Sequence, residues 1–218
     1  MDSQRLFFVV EDHPAVAEAN CLFLQKLEPS SHCVICTTPA QALERLQLEK
    51  PDLIVVDLSF GEISGEKSVE PGLELLREIF VCYGSLNILI YSSDPLALIK
   101  LAPQINGHQG GFVVVDKVEK RTAFTSGAKN ALDGELRIPR KLRGEMSLSE
   151  NELVVLELLC KEFLSDQAIA QRMGVSKKTA QNYVQRLKEK LGIYELDDKC
   201  TNPRVAVCMK AVQCRLLT

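Results

Sequence analysis

Five short apolar runs, rich in β-branched and aromatic residues, punctuate the N-terminal part of the chain: LFFVV at 6–10, HCVIC at 32–36, LIVVD at 53–57, NILIY at 87–91 and FVVV at 112–115. Strands this continuously apolar must be covered on both faces, and a parallel sheet with helices above and below does that. Between the runs lie segments of helical periodicity. In 14–27, Val16, Ala19, Phe23 and Leu27 share one side and Pro14 suits a first turn. Further helices are read at 39–48, 72–80, 94–101 and 119–132. The expected fold is α/β, a doubly wound five-stranded parallel sheet, followed by an all-α domain.

Ligands of open α/β sheets bind off the carboxyl ends of the strands, and the sequence places acids there. Glu11 and Asp12 follow the first run and Asp57 ends the third, so three carboxylates converge despite their repulsion. A hard divalent cation with oxygen ligands, Mg²⁺, explains such a cluster. Ser92 and Ser93 follow the fourth run and Lys117 the fifth, a hydroxyl and a cation suited to phosphoryl oxygens. A lone Asp57 would read as a turn cap; the combination at four strand ends points to phosphoryl chemistry.

About residues 5 to 133 resemble the receiver domain of two-component response regulators. The matching pieces are VVED (9–12), DLIVVDLS (52–59), GLELLREI (72–79), ILIYSS (88–93) and FVVVDK (112–117). The resemblance implies that Asp57 is the phosphoacceptor, receiving a phosphoryl group from a sensor histidine kinase. It further implies that Glu11, Asp12, Asp57 and the backbone carbonyl of Ser59 hold Mg²⁺, that Ser92 is the switch hydroxyl and that Lys117 pairs with the phosphate. Three features depart from the family. The 59–71 connection, SFGEISGEKSVEP, is longer than usual and lacks a Met-Pro turn. Lys117 lies beyond the expected place, which Val115 occupies; the two share a strand face, so a lengthened strand would deliver the amine. The aromatic switch position has no clear equivalent, and Phe112 reads as core.

Charge divides unevenly. The stretch through Leu136 carries a formal −8 and the remainder +5, the asymmetry of an acidic domain joined to a nucleic-acid-binding one. The linker is placed at 134–146, between domains 1–133 and 147–218. Ser149 with Glu152 forms a capping-box pattern. Gly174 then ends one helix and Ser176 caps the next, close enough for a helix-turn-helix. In that second helix Ala180, Val184, Leu187 and Leu191 form one stripe, leaving Lys178, Gln181, Asn182 and Gln185 facing away, with Lys177, Arg186, Lys188 and Lys190 as phosphate anchors. Residues 148–193 are similar to the LuxR-type helix-turn-helix. That resemblance implies that Lys178, Thr179 and Asn182 meet double-stranded DNA, with Lys177, Gln181 and Gln185 beside them. Ala180 and Tyr183 replace the family's more frequent Val and His. In 203–217, Val205, Cys208, Met209, Val212 and Leu216 share a face, for pairing two copies or for packing on the same domain. The preceding YELDDKCTNP is longer than the family norm.

The eight cysteines are read as reduced core residues, and the CxxC at Cys33 and Cys36 as no metal site, since residues three apart on a strand face opposite ways. His13 is read as a local surface group; His32 and His108 lack catalytic partners. No run is long enough to span a bilayer and no signal peptide is seen, so a cytoplasmic location without membrane association is expected. Together these readings predict a non-enzymatic transcription factor, homodimeric when active, that meets RNA polymerase and is controlled at Asp57. The rival is an atypical receiver answering to a protein or ligand without phosphorylation. A phosphatase using Asp57 is disfavoured because Ser59 stands where its acid would be needed.

Overall fold

The apolar runs become the strands of one sheet. In chain order the first part contains β1 (Leu6–Val10), α1 (Pro14–Leu27), β2 (His32–Cys36), α2 (Pro39–Leu48), β3 (Leu53–Val56), β4 (Phe60–Gly61), β5 (Lys67–Ser68) and α3 (Glu70–Cys82). It continues with β6 (Ile88–Ser92), a 3₁₀ helix (Pro95–Leu101), α4 (Ala102–Gly107), β7 (Phe112–Asp116), α5 (Arg121–Leu132) and β8 (Leu136–Arg137). This computed structural model describes residues 4–61, 67–139, 148–193, 202–214 and 216–217. The chain divides into two compact units, Met1–Pro95 with Gln104–Pro139 and Leu96–Pro103 with Arg140–Thr218.

The sheet runs β2-β1-β3-β6-β7-β8, with every neighbouring pair parallel. Alternate residues of the central strands point to opposite faces. Phe7, Val9, Val55, Leu89 and Val113 pack with Ala17, Leu24, Phe124 and Ala128 of α1 and α5. Phe8, Val10, Ile54, Val56, Ile88 and Ile90 fill the other side, also fully buried. The chain reverses its winding beside β1, so the tips of β1, β3, β6 and β7 sit together at one edge.

The expected five-stranded sheet gains a sixth, two-residue strand. β8 begins inside the stretch read as linker, where Leu136 and Arg137 pair with Phe112 and Val113; residues 140–146 of that stretch lie outside the described residues. The fourth helix also differs, because the segment starts as 3₁₀ and only later becomes α4. Pro103 has no N–H to offer the Ile99 carbonyl, so an α-helix cannot run through it from Pro95, whereas a proline fits the first turn of α4. In the long 59–71 connection, β4 and β5 form an antiparallel hairpin, Phe60 opposite Ser68 and Gly61 opposite Lys67; 62–66 lie outside the described residues.

The second unit holds α6 (Glu150–Cys160), α7 (Asp166–Met173), α8 (Lys177–Lys190) and α9 (Pro203–Gln213). Its helix ends follow local chemistry. Ser149 and Glu152 form the full capping box, and Ser165 and Ser176 accept hydrogen bonds from the Ala168 and Thr179 amides. Gly174 closes α7 in the left-handed conformation, φ 66°. Phe163, between α6 and α7, also has left-handed φ, 54°, and its side chain is exposed. Of the long 194–203 stretch ahead of α9, 194–201 lie outside the described residues, while Asn202 caps α9 and Pro203 begins it.

The reduced-cysteine expectation is overturned. Cys21 is bonded to Cys33, and Cys160 to Cys208. In each case packing brings distant cysteines into bridging range: α1 lies along edge strand β2 with the Cα atoms 5.8 Å apart, and α6 lies along α9 with them 5.4 Å apart. Cys36 faces the opposite way from Cys33 and is buried, and burial pushes its thiol pKa up.

Candidate functional site

The carboxyl ends of β1 and β3 bury two acids. Glu11 is 1% exposed and Asp57 3%. Such charges are tolerated only with close partners, and Lys117 supplies one. β7 ends at Asp116, and the Lys117 amide donates to the Ser92 carbonyl at 3.1 Å, fixing the residue above the sheet edge. Its Nζ then donates to Glu11 Oε2 at 2.6 Å and to Asp57 Oδ2 at 2.7 Å. Burial disfavours the Lys117 ammonium, but the bonds and charges of Asp57 and Glu11 outweigh it and hold its pKa above the ordinary lysine value. Val115, two residues earlier on the same strand face, packs in the core with α5.

The remaining carboxylate oxygens are also met. Asp57 Oδ1 accepts from the Ser59 amide at 3.2 Å. Glu11 Oε1 accepts from the His13 amide at 3.2 Å. Asp12 Oδ2 accepts from the Gly61 amide at 2.9 Å, and Asp12 Oδ1 lies 2.7 Å from His13 Nδ1. Burial raises the Asp12 pKa, yet the Gly61 amide, the His13 ring and the charge of Lys67 together bring it below the usual carboxylate value. Ser92 is fully buried at the tip of β6 and its Oγ accepts from the Asp94 amide at 3.3 Å. The pocket is therefore a set of three carboxylates, one ammonium and one hydroxyl carried by four strand tips.

His13 is exposed, as its sequence position suggests, but its link to this set was missed: its ring reaches both neighbouring acids. Gly61 was likewise missed, because the hairpin that carries its amide to Asp12 has no strong strand pattern. Ligand atoms of Glu11, Asp12 and His13 lie within 4.8 Å of one another. His32 and His108 lie elsewhere, and the His108 ring bonds the Leu86 carbonyl.

In the second unit α8 presents two unlike faces. Ala180, Val184, Leu187 and Leu191 are buried, as their spacing predicts. Lys177, Lys178, Gln181, Asn182, Gln185 and Arg186 are exposed, while Thr179 and Lys188 are half-buried. Gln185 bonds Glu189 at 3.1 Å and Thr179 Oγ1 lies 2.8 Å from Ser176 Oγ. Beneath this face, Lys190 bonds the buried Glu152 at 2.7 Å and ties α8 to α6. Burial opposes the Glu152 charge, but Lys190 and Ser149 keep its pKa below the ordinary glutamate value.

Comparison with known proteins bears on both units. Residues 146–198 match the family of bacterial regulatory proteins, luxR family. The DNA-binding transcriptional activator DevR/DosR of Mycobacterium tuberculosis is 29% identical over 85% of this chain and 88% of its own. The methanol utilization control regulatory protein MoxX of Paracoccus denitrificans is 27% identical over 87% and 86%. The solved two-component response regulator RcsB, in its DNA complex, shares the fold at TM-score 0.56 and 19% identity, over 96% of this chain and 98% of that one. Residues 146–198 thus match a LuxR-type helix-turn-helix, and the chain as a whole has the fold of the two-domain regulator RcsB.

In this fold the pocket lies in the α/β unit, and α8 is the second helix of the helix-turn-helix. The periodic face read on α9 is split. Val205, Met209 and Val212 are exposed, whereas Cys208 is half-buried and bonded to Cys160 of α6 and Leu216 is buried; Val207, Ala211 and Cys214 also pack inward. Among the described residues, no helix is long and apolar enough to cross a membrane.

Proposed function

We propose that this chain is a response regulator, a DNA-binding transcription regulator whose receiver is phosphorylated on Asp57 by a sensor histidine kinase. The observation that carries the reading is the Lys117 ammonium bridging Asp57 and Glu11 at a strand-tip edge. A carboxylate held there is positioned to attack phosphorus, and phosphoryl transfer needs positioning and charge neutralisation more than acid-base chemistry. Lys117 supplies positive charge beside the transferring oxygens, and Ser92 supplies a hydroxyl that the new dianion attracts, biasing a two-state equilibrium.

The donor set suits Mg²⁺: Glu11, Asp12 and Asp57 offer the hard oxygens it prefers, and the Ser59 carbonyl completes the expected ligands. When bound, the ion adds positive charge at the phosphoryl oxygens. Transfer of label from acetyl phosphate or a phosphohistidine kinase in Mg²⁺ tests the reading. Wild type should be labelled and Asp57→Asn should not; an unlabelled wild type would favour a receiver that works without phosphorylation.

The exposed face of α8 is the proposed reader of double-stranded DNA. Lys177, Lys178, Arg186 and Lys188 supply phosphate contacts. Thr179, Gln181, Asn182 and Gln185 offer groups for base edges. The outward face of α9 is the proposed pairing surface of a homodimer on a symmetric site. Such a factor acts where the chromosome is, in the cytoplasm, where it meets RNA polymerase.

A further inference from the structure

We propose that Cys160 and Cys208 form a reversible dithiol–disulfide switch that sets how firmly α9 is docked. The bond joins the last residue of α6 to the middle of α9, 48 positions along the chain. Its two sulfurs differ in access. Cys160 is almost fully buried, whereas Cys208 is half-buried and lines an open groove with Leu159, Phe163, Val205, Met209 and Val212. An incoming thiolate therefore meets Cys208 first.

Reversibility follows from the DNA-binding reading, on which this inference rests. Where chromosomal DNA lies, thioredoxin- and glutathione-type thiols keep cysteines reduced, and disulfides that do form there are mostly redox-sensing or catalytic. The exchange balances with a small dithiol as reductant. One of its thiolates attacks the Cys208 sulfur, giving a mixed disulfide and a Cys160 thiolate that takes up a proton. The second thiol of the reductant then displaces Cys208 as a thiol and closes the reductant's own disulfide. Two electrons and two protons pass to the protein.

Once the bond is cut, α9 is held by non-covalent contacts alone. Val207 and Ala211 stay in the core, and Arg204 bonds Asp166 at 2.6 Å and the Leu164 carbonyl. Losing a cross-link that closes so long a loop frees chain entropy in any state where α9 lifts off. The orientation of Val205, Met209 and Val212 depends on that docking, so reduction loosens this apolar face and oxidation fixes it.

The test uses the full-length protein equilibrated across mixtures of reduced and oxidised dithiothreitol, quenched with acid and tagged with a maleimide. Peptide mapping reads Cys160 and Cys208 separately from Cys21 and Cys33. Tagging of Cys160 and Cys208 should rise together with reductant, and amide exchange across 203–213 should be ~10-fold faster in the reduced protein, well inside the limit loop-closure entropy sets. Cys208→Ser should match reduced wild type in either buffer, and sedimentation should show weaker self-association of the reduced form. The proposal is overturned if either cysteine stays taggable at the oxidising limit, if the native bond resists the dithiol, or if exchange in α9 ignores the bond. None of these readouts uses DNA, so their failure is distinct from a failure to bind DNA.

Discussion

Replacing Lys117 by Met keeps the length and apolar stem of the side chain and removes only its ammonium. The side chain is 22% exposed, and its two partners are buried acids with side chains 2% and 3% exposed. The variant leaves two carboxylates facing each other without a cation. Breaking a buried ion pair by removing one partner costs ~3–5 kcal/mol, and partial solvent access at Lys117 trims this to about 2–4 kcal/mol at neutral pH. In wild type the folded Lys117 pKa is raised above its ordinary 10.5. Its contribution is therefore complete below that value and is lost as pH rises through the higher folded value. Urea unfolding at pH 7.5, with amide exchange read at β1 and β7, measures the loss. A loss below ~0.5 kcal/mol at that pH would refute the reasoning, since surface pairs are worth about that much.

Other perturbations probe the frame and the proposed interface. Glu152→Gln should cost ~1–2 kcal/mol by weakening the capping box and the bond to Lys190; because the folded Glu152 pKa lies below its ordinary 4.5, wild type should hold the advantage above that value and lose it as pH falls through the lower folded one, seen as converging thermal midpoints. Gly72→Ala would set a methyl 2.6 Å from the Leu58 carbonyl oxygen and 2.7 Å from its Cα; a loss of ~1–3 kcal/mol is expected from overpacking against the segment that follows Asp57, and an unchanged denaturation midpoint would contradict the close approach. In DNA titrations by fluorescence anisotropy, Lys178→Ala should flatten the salt dependence by ~0.9 in log-log slope if it meets a phosphate. Asn182→Ala should instead cost ~1–3 kcal/mol at one base pair and leave the salt slope unchanged.

The sheet was legible because its strands are apolar on both faces, a pattern few other arrangements tolerate. The stripe of α8 was legible because four residues at helical spacing must hide together. What escaped depended on contacts made at a distance. Leu136 and Arg137 become a strand only because β7 offers them an edge, and nothing in their own pattern shows it. His13 is the exposed local group its position suggests, but nothing in the sequence shows that the Glu11 it meets is buried. Cys21 and Cys33 read as ordinary core residues since nothing in the sequence says that α1 lies against β2. On α9 the apolar stripe was correctly spaced, but periodicity cannot tell an inward face from an outward one when small residues such as Ala211 do the packing.

Phe163 has a consequence for how far this domain sits from its own stability optimum. A side chain in the left-handed region costs ~1–2 kcal/mol relative to glycine, and a ring 84% exposed recovers almost none of that from the domain's interior. Phe163→Gly should therefore raise the thermal midpoint. In the free protein the aromatic ring is an energetic burden on its own fold, and only something outside the domain can make it an asset.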